Sequence, residues 1–303
     1  FKELILLDFV ILDLEWNGSY SKKEKKYINE IIEFGAVRIN SKMELIDKFS
    51  MLIKPQIGKK ICGRVKELTH ISNEEIEAAN NTYNHVIKEF SAFSRGAVIL
   101  TWGITDIQTL ITNNEYYNKT KTIAFLKKYM NLQSYCENCL KREDPSKQMG
   151  LSAAAELLNI DFGSDQLHRA LDDSLLSWKC FAKVYDPEKI KSFIKPADAE
   201  FYNRVCFKNT VITEFSNPLI DKKQFYAVCP VCGRRGRRLN KWQQKNKSFR
   251  AAFNCDYCNK KFNGRVQFKL KYEGVQVKHS SHPYVSPEEA KKAAVQKAQA
   301  AGI

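Results

Sequence analysis

Acidic residues are almost missing from the last 82 residues of this 303-residue chain. From Lys222 onward there are only four, Asp256, Glu273, Glu288 and Glu289, against 19 Lys and Arg, an excess that equals the whole net charge of +15. The preceding 221 residues carry 30 of each sign. Positive charge gathered in one segment is the footprint of a nucleic-acid binder, with a merely soluble basic surface as the bland alternative. Long apolar runs are lacking too. "LILLDFVILDL" is short, carries acids and falls well below the ~18 residues of a membrane-spanning helix, so a soluble protein is expected. Nine cysteines is an odd number, four of them in two CxxC pairs near the C-terminus, which suits metal and a reducing compartment, the cytosol, better than a secreted disulfide framework. No internal repeat is visible, and a hydrophobic content of 44% argues for a packed core. The chain opens on Phe1, so a trimmed start or a removed targeting peptide is an open expectation.

Three runs near the start read as strands, "DFVILDLEWNG", "NEIIEFGAVRIN" and "ELIDKFSMLIKP", with a charged turn at "SYSKKEKK". From Ser72 to Gly96 the spacing of Ile76, Ala79, Val86 and Phe90 predicts one helix. A buried strand, "AVILTWG", then leads into a helix, and "GLSAAAELLNI" and "DDSLLSWKCFAKVY" are two more. Strands mixed with helices predict an α/β sandwich over residues 1–186. Residues 187–221, with Pro187, Pro196 and Pro218, read as a linker or partly packed connector. Residues 222–303 alternate short strands ("FYAVC", "SFRAAFNC", "RVQFKLKY", "VQVKHS") with Gly and Asn turns and end in a helix capped by Ser286, Pro287 and Glu289.

In "FVILDLEWNG" alternate side chains share a face, so Phe9, Ile11, Asp13 and Glu15 point one way and Val10, Leu12, Leu14 and Trp16 the other. That first face switches from apolar to acidic halfway along. Two carboxylates ~6 to 7 Å apart at the margin of a core repel each other and lose solvation, and nearby cations repair both. "TWGITD" places Asp106 where a helix begins, and "LHRALDD" supplies His168 and Asp173. A five-residue step in a helix turns side chains ~140° apart, so His168 belongs on the loop before the helix and Asp173 in its first turns.

These motifs resemble the DEDDh 3′–5′ exonucleases of the DnaQ-like, ribonuclease H-like superfamily over residues 7–186. "DLE" matches the first motif, "WGITD" the second, and "HRALDD" the third, whose HxAxxD pattern fits His168, Ala170 and Asp173 rather than Asp172. "IIEFGAV" and "ELTHIS" also look like family segments, and bacterial exonucleases with a "DLEWN" strand look nearest. The resemblance implies two Mg²⁺ or Mn²⁺ ions, with Asp13 bridging them, Glu15 and Asp173 completing the nucleophilic metal's site, Asp106 serving the second, and His168 taking the proton of water. It implies stepwise hydrolysis from the 3′ end of a single strand to nucleoside 5′-monophosphates. The WGxxD form of the second motif resembles an RNA-processing branch and favours RNA over DNA. Two positions depart from the pattern. His70 stands where a glycine is usual, and Trp16 follows the acids where a small hydroxyl is frequent; its face favours core packing over base stacking.

"CPVCG" (Cys229, Cys232) and "CDYC" (Cys255, Cys258) are spaced as a tetrahedral zinc site, closed by four sulfurs and therefore structural. Between them Arg234, Arg235, Arg237, Arg238, Lys241, Lys245, Lys247 and Arg250 stand without an acid, interleaved with Trp242, Phe249 and Phe253. Cations for phosphates and rings for bases compose a single-strand-binding surface, and a small aromatic core is the other use of the same rings. Cys136 and Cys139 read as two reduced thiols on a helix, and His279 and His282 are surplus to a filled zinc shell. The expectation is a nuclease of two parts, an exonuclease domain with a mixed sheet flanked by helices and a β-rich zinc ribbon ending in a helix. The alternative from another class is an idle exonuclease fold serving as a nucleic-acid-binding adaptor.

Overall fold

The computed structural model describes residues 7–58, 60–140, 147–163 and 168–284. The chain forms two compact units, Phe1–Cys206 and Phe207–Ile303. The connector expected at 187–221 is therefore divided: its first part packs in the first unit and its last part supplies a strand to the second. Among the described residues no helix is long and apolar enough to cross a membrane. The helix expected after Ser286 lies outside them.

The first unit is built on a sheet of β1 (Phe9–Ser21), β2 (Lys26–Ile39), β3 (Leu45–Leu52), β4 (Val98–Thr101), β5 (Lys128–Asn131) and β6 (Lys195–Pro196), in the order β3-β2-β1-β4-β5-β6. β1 pairs antiparallel with β2 and parallel with β4, so it lies mid-sheet with both faces covered. That placement explains its unbroken apolar run. The helices are α1 (Gly63–Thr69), α2 (Asn73–Ala79), α3 (Tyr83–Phe93), α4 (Thr105–Asn118), α5 (Leu132–Cys139), α6 (Leu151–Leu157), α7 (Ala170–Val184) and α8 (Ala199–Cys206). Val10, Leu12 and Leu14 pack with Phe34, Phe90, Ile107 and Leu110 on one side, and Trp16 packs against this cluster. Phe9 and Ile11 pack with Leu176, Cys180 and Phe181 of α7 on the other. The mixed sheet flanked by helices is as expected.

The single helix predicted over 72–96 is two. Ser72 caps α2 in a reciprocal capping box with Glu75, Asn80 ends it in the left-handed conformation at φ 49°, and Thr82 caps α3 by accepting from the His85 amide. Apolar periodicity continues across the break, so spacing alone does not reveal it; the Asn80, Asn81, Thr82 cluster does.

The second unit holds β7 (Thr210–Ile212), β8 (Arg237–Arg238), β9 (Gln243–Gln244), β10 (Phe249–Cys255), β11 (Lys260–Lys271) and β12 (Gly274–Pro283), with β12-β11-β10-β8 as its main path. Phe249, Phe253, Phe262, Val266 and Phe268 alternate inward along β10 and β11 and are buried. "FYAVC" forms only the isolated bridge of Val228 to Arg235.

Candidate active site

β1 delivers Asp13 and Glu15 just past its pairing with β4, which ends at Ile11. Asp13 stands opposite Gly35 and Glu15 opposite Glu33, and a bulge follows at once, Trp16 pairing with Ile31. Bulges bend a strand and re-aim its side chains, and this one lies beside the acids. Gly35 is required by contact: a Cβ there would stand 2.0 Å from the Ala170 carbonyl carbon. The small residues of "EFGAV" and "HRALDD" let α7 press onto β2, where the Ser174 hydroxyl donates to the Gly35 carbonyl at 2.9 Å.

Asp13, Glu15 and Asp173 each bring a carboxylate oxygen within 4.8 Å of the others. Asp173, not its neighbour Asp172, joins the cluster. Asp106 stands outside that trio but near enough to raise Asp13, in the first turn of α4, which follows β4 through Gly103 at φ 94°. Only a residue at ease in the left-handed region makes this turn without strain. Thr101 and Tyr129 hydroxyls donate to the Gly103 carbonyl at 2.6 and 2.8 Å and hold the turn. Asp106 is 5% exposed, and its Oδ1 accepts at 3.2 Å from the amide of Leu14, the residue between Asp13 and Glu15 on β1.

The electrostatics are those of crowded anions. Burial, then Asp106, Asp173, Glu15 and Glu33, hold Asp13 well above the carboxylate range. Burial, then Asp173, Glu33 and Asp106, push Glu15 up to about 8, with Arg169 opposing. Asp106 is pushed up to about 7, burial outweighing its backbone hydrogen bonds. Burial raises Asp173 as well, against the lowering by His168 and a hydrogen bond from the His168 backbone. Four acids that resist ionising together fit hard divalent cations, which take several oxygen ligands and favour the charged form of each. His168 precedes α7 at φ 78° and is exposed, outside the acid trio.

Glu33 and Arg169 were not singled out in the sequence. Glu33 is 1% exposed and accepts from Arg169 Nε at 3.0 Å, from Arg169 Nη2 at 2.7 Å and from the Ala170 amide at 3.1 Å. This ties the start of α7, and with it Asp173, to β2. The legible signal is an acid inside the buried run "IIEFGAV". His70 explains its own oddity: it ends α1 at φ 57°, the left-handed conformation for which glycine is the easy residue.

In the second unit the sulfurs of Cys229, Cys232, Cys255 and Cys258 lie within 4.8 Å of one another. Each CxxC turn closes on a left-handed residue, Gly233 at φ 73° and Asn259 at φ 51°. A hydrogen bond from the Cys258 amide leads the lowering of Cys255 to about 7, while hydrogen bonds with the neighbouring thiols, that of Cys232 first, raise Cys258. Cys136 and Cys139 join no metal-ligating group among the described residues, and Cys136 is buried with its thiol raised by desolvation. His279 stacks on Tyr226 with ring centroids 4.3 Å apart and meets the Gln224 carbonyl at 2.8 Å; neither it nor His282 joins the sulfurs.

The eight basic residues of the intervening segment are all exposed. Arg234 lies over the Tyr257 ring at 3.6 Å, Arg235 over Tyr226 at 4.0 Å, and Arg237 pairs with Asp256 at 3.3 Å. The expectation for Trp242 is corrected. Its ring packs against Phe225 and Phe253, centroids 5.3 and 5.5 Å away, with its ring N–H buried and unpartnered. Phe249 and Phe253 are core as well, because β10 turns odd positions inward. The exposed ring beside the cations is Tyr257.

The comparisons agree with the geometry. The sequence model of the exonuclease family (RNase_T) matches residues 10–181, more than half of the chain. The epsilon subunit of DNA polymerase III of Aquifex aeolicus is 31% identical over 186 residues, 60% of this chain and 83% of that protein. Human 3′-5′ exoribonuclease 1 is 26% identical over 158 residues, 49% of this chain and 44% of its own. Among solved structures, the nuclease domain of 3′hExo, a DEDDh family member bound to rAMP, superposes with a TM-score of 0.50 at 23% identity, covering 59% of this chain and 91% of that one. The chain belongs to the exonuclease family and is a 3′–5′ exonuclease.

Proposed function

We propose that the protein shortens a single-stranded nucleic acid from its 3′ end, RNA in preference to DNA, and releases nucleoside 5′-monophosphates. The observation that carries this reading is the convergence of Asp13, Glu15 and Asp173 within 4.8 Å, with Asp106 beside them on the Leu14 amide. In this reading those four acids hold two Mg²⁺ or Mn²⁺ ions. Bound there, the ions would make a water nucleophilic and share the charge that develops on the attacked phosphate. His168, exposed just before α7, would accept the water's proton on an imidazole nitrogen and return it to solvent. Asp106, fixed by its bond to Leu14, keeps its carboxylate turned to the strand end. Glu33 and Arg169 hold Asp173 in register with β1.

Four thiols gathered without a disulfide fit a soft, tetrahedral ion, and Zn²⁺ is the proposed occupant. The exposed Arg234, Arg235, Arg238, Lys241, Lys245, Lys247 and Arg250 lie between the two cysteine pairs in the chain, and Arg237 divides its charge with Asp256; in this reading they supply phosphate contacts to the strand. Support for RNA comes from the WGxxD form of the second motif and the human exoribonuclease relative, while the Aquifex relative belongs to a DNA polymerase.

The test is a 5′-labelled single strand of about 30 nucleotides, RNA or DNA, with Mg²⁺. The expected result is a one-nucleotide ladder, faster on RNA, absent with Asp13→Asn and slowed about 10²- to 10⁴-fold by His168→Asn. Tight binding with no shortening under Mg²⁺ or Mn²⁺ would support the adaptor and refute the reading.

A further inference from the structure

The outer end of the β1–β2 hairpin carries charge and aromatic surface that the acid cluster does not use. Past Glu15, β1 runs on to Ser21 paired with β2. The inner face of this arm is anchored. Asn17 Nδ2 donates to the Ser19 hydroxyl at 3.1 Å, and Asn17 Oδ1 accepts from the Cys62 amide at 3.0 Å. Glu30, fully buried, accepts from the amides of Gln56, Ile57 and Gly58 and from the Tyr117 hydroxyl. The arm is therefore a rigid support rather than a loose loop.

Its outer face is open. Tyr20 and Tyr27 stand directly opposite each other, ring centroids 5.3 Å apart, and are 51% and 77% exposed. Lys22, Lys23 and Lys25 lie in the turn between them and Lys26 next to Tyr27, all exposed, with the single Glu24 3.9 Å from both Lys26 and Lys119. Lys22, Lys23 and Lys25 have no ion pair among the described residues.

Two features of this arm cost stability and have no reward inside the fold. Lys25 takes the left-handed conformation, φ 50°, in a turn where glycine or asparagine is easier. Gly18 interrupts a strand, which weakens it, yet a Cβ there would meet nothing nearer than Asn29 Oδ1 at 4.0 Å. Packing does not ask for glycine at this place, and its absent side chain leaves room for close approach from outside. Strain retained without an internal partner points to a use outside the fold.

We propose that Gly18, Tyr20 and Tyr27, with Lys22, Lys23 and Lys25, form a second nucleic-acid contact, in which bases of the single strand stack on the tyrosines and its phosphates meet the lysines. The rings suit bases of any sequence, and the lysines suit the backbone. The proposal rests on the nuclease reading for the identity of the strand. Tyr20 lies five residues beyond Glu15, ~17 Å along the strand at ~3.3 Å per residue. At ~3.4 Å per stacked nucleotide, the contact falls about five nucleotides from the cleaved end. It serves long substrates and not a dinucleotide.

The test compares the full chain with the Tyr20→Ser/Tyr27→Ser variant and, separately, Lys22→Gln/Lys23→Gln/Lys25→Gln. All five residues are exposed, so both variants should melt like the parent. Binding of a labelled single strand of about 30 nucleotides is read by anisotropy in Ca²⁺, and kcat/KM in Mg²⁺ is read on that strand and on a dinucleotide. The tyrosine variant should weaken binding and kcat/KM at least about tenfold on the long strand, ~1.4 kcal/mol for the two rings together, and leave the dinucleotide unchanged. The lysine variant should reduce the salt slope of binding by about 2, ~0.7 per lysine. Unchanged affinity for the long strand, or equal loss on both substrates, overturns the proposal. Weakened binding in a chain that cleaves neither substrate supports the arm and refutes the nuclease reading.

Discussion

The carboxylates crowded around β1 make a sign-specific prediction for the protein freed of Mg²⁺. Glu15 is pushed up to about 8 from an ordinary 4.5, first by burial and then by Asp173, Glu33 and Asp106. A carboxyl whose folded value is raised binds more protons folded than unfolded, so its contribution to stability falls as pH rises from about 4.5 through about 8. Between pH 5 and pH 8 the linkage amounts to ~3.5 kcal/mol as a ceiling. Water reaching a site at the strand end screens part of this, leaving about 2 kcal/mol, or roughly 4–8 °C in the first unit. Glu15→Gln removes the charge. Melted without Mg²⁺ at pH 8, that variant should exceed the parent by this margin, and at pH 5 the two should nearly coincide. Adding Mg²⁺ at pH 8 should raise the parent more than the variant. A variant that melts lower than the parent at pH 8, or a parent indifferent to Mg²⁺, would refute the reasoning.

Three further perturbations test the supporting structure. Arg169→Ala strands the buried Glu33 and should cost about 2–3 kcal/mol in denaturant, much of it recovered in Arg169→Ala/Glu33→Gln; equal losses in the single and double variants would show that the pair does not act as a unit. His70→Gly relieves a left-handed side chain and should stabilise by about 0.5–1 kcal/mol, whereas a lower melting temperature would mean that His70 makes contacts outweighing its strain. Cys229→Ser should lower bound zinc from about one ion per chain to nearly none by elemental analysis, and undiminished zinc would place the ion elsewhere.

Much of this site could be read in the sequence because its parts are local. Strand alternation puts Asp13 and Glu15 on one face and a strand running into a helix places Asp106, while the choice of Asp173 over Asp172 rests on the HxAxxD pattern of the family resemblance. The glycines at 35 and 103 belong to the same legible motifs, yet their reasons, contact with Ala170 and a left-handed turn, emerge only in three dimensions. Glu33 and Arg169 stayed hidden because a partner 136 residues away cannot be chosen from spacing. The two uses of Trp242, Phe249 and Phe253 stayed open for a related reason: composition reports that rings and cations are interleaved, and only the register of β10 decides which rings turn inward. Helix periodicity likewise ran through the break at Asn80, where backbone handedness overrides the apolar pattern.

The central claim is that Asp13, Glu15, Asp106 and Asp173 together hold divalent ions. Titration of Mn²⁺ into the zinc-loaded protein, followed by the electron paramagnetic resonance of the free ion, tests it directly. The account predicts about two Mn²⁺ bound per chain, displaced by Mg²⁺ and abolished in Asp13→Asn/Asp173→Asn. Mn²⁺ bound equally well by that variant, or cleavage that persists where no ion binds, would contradict it.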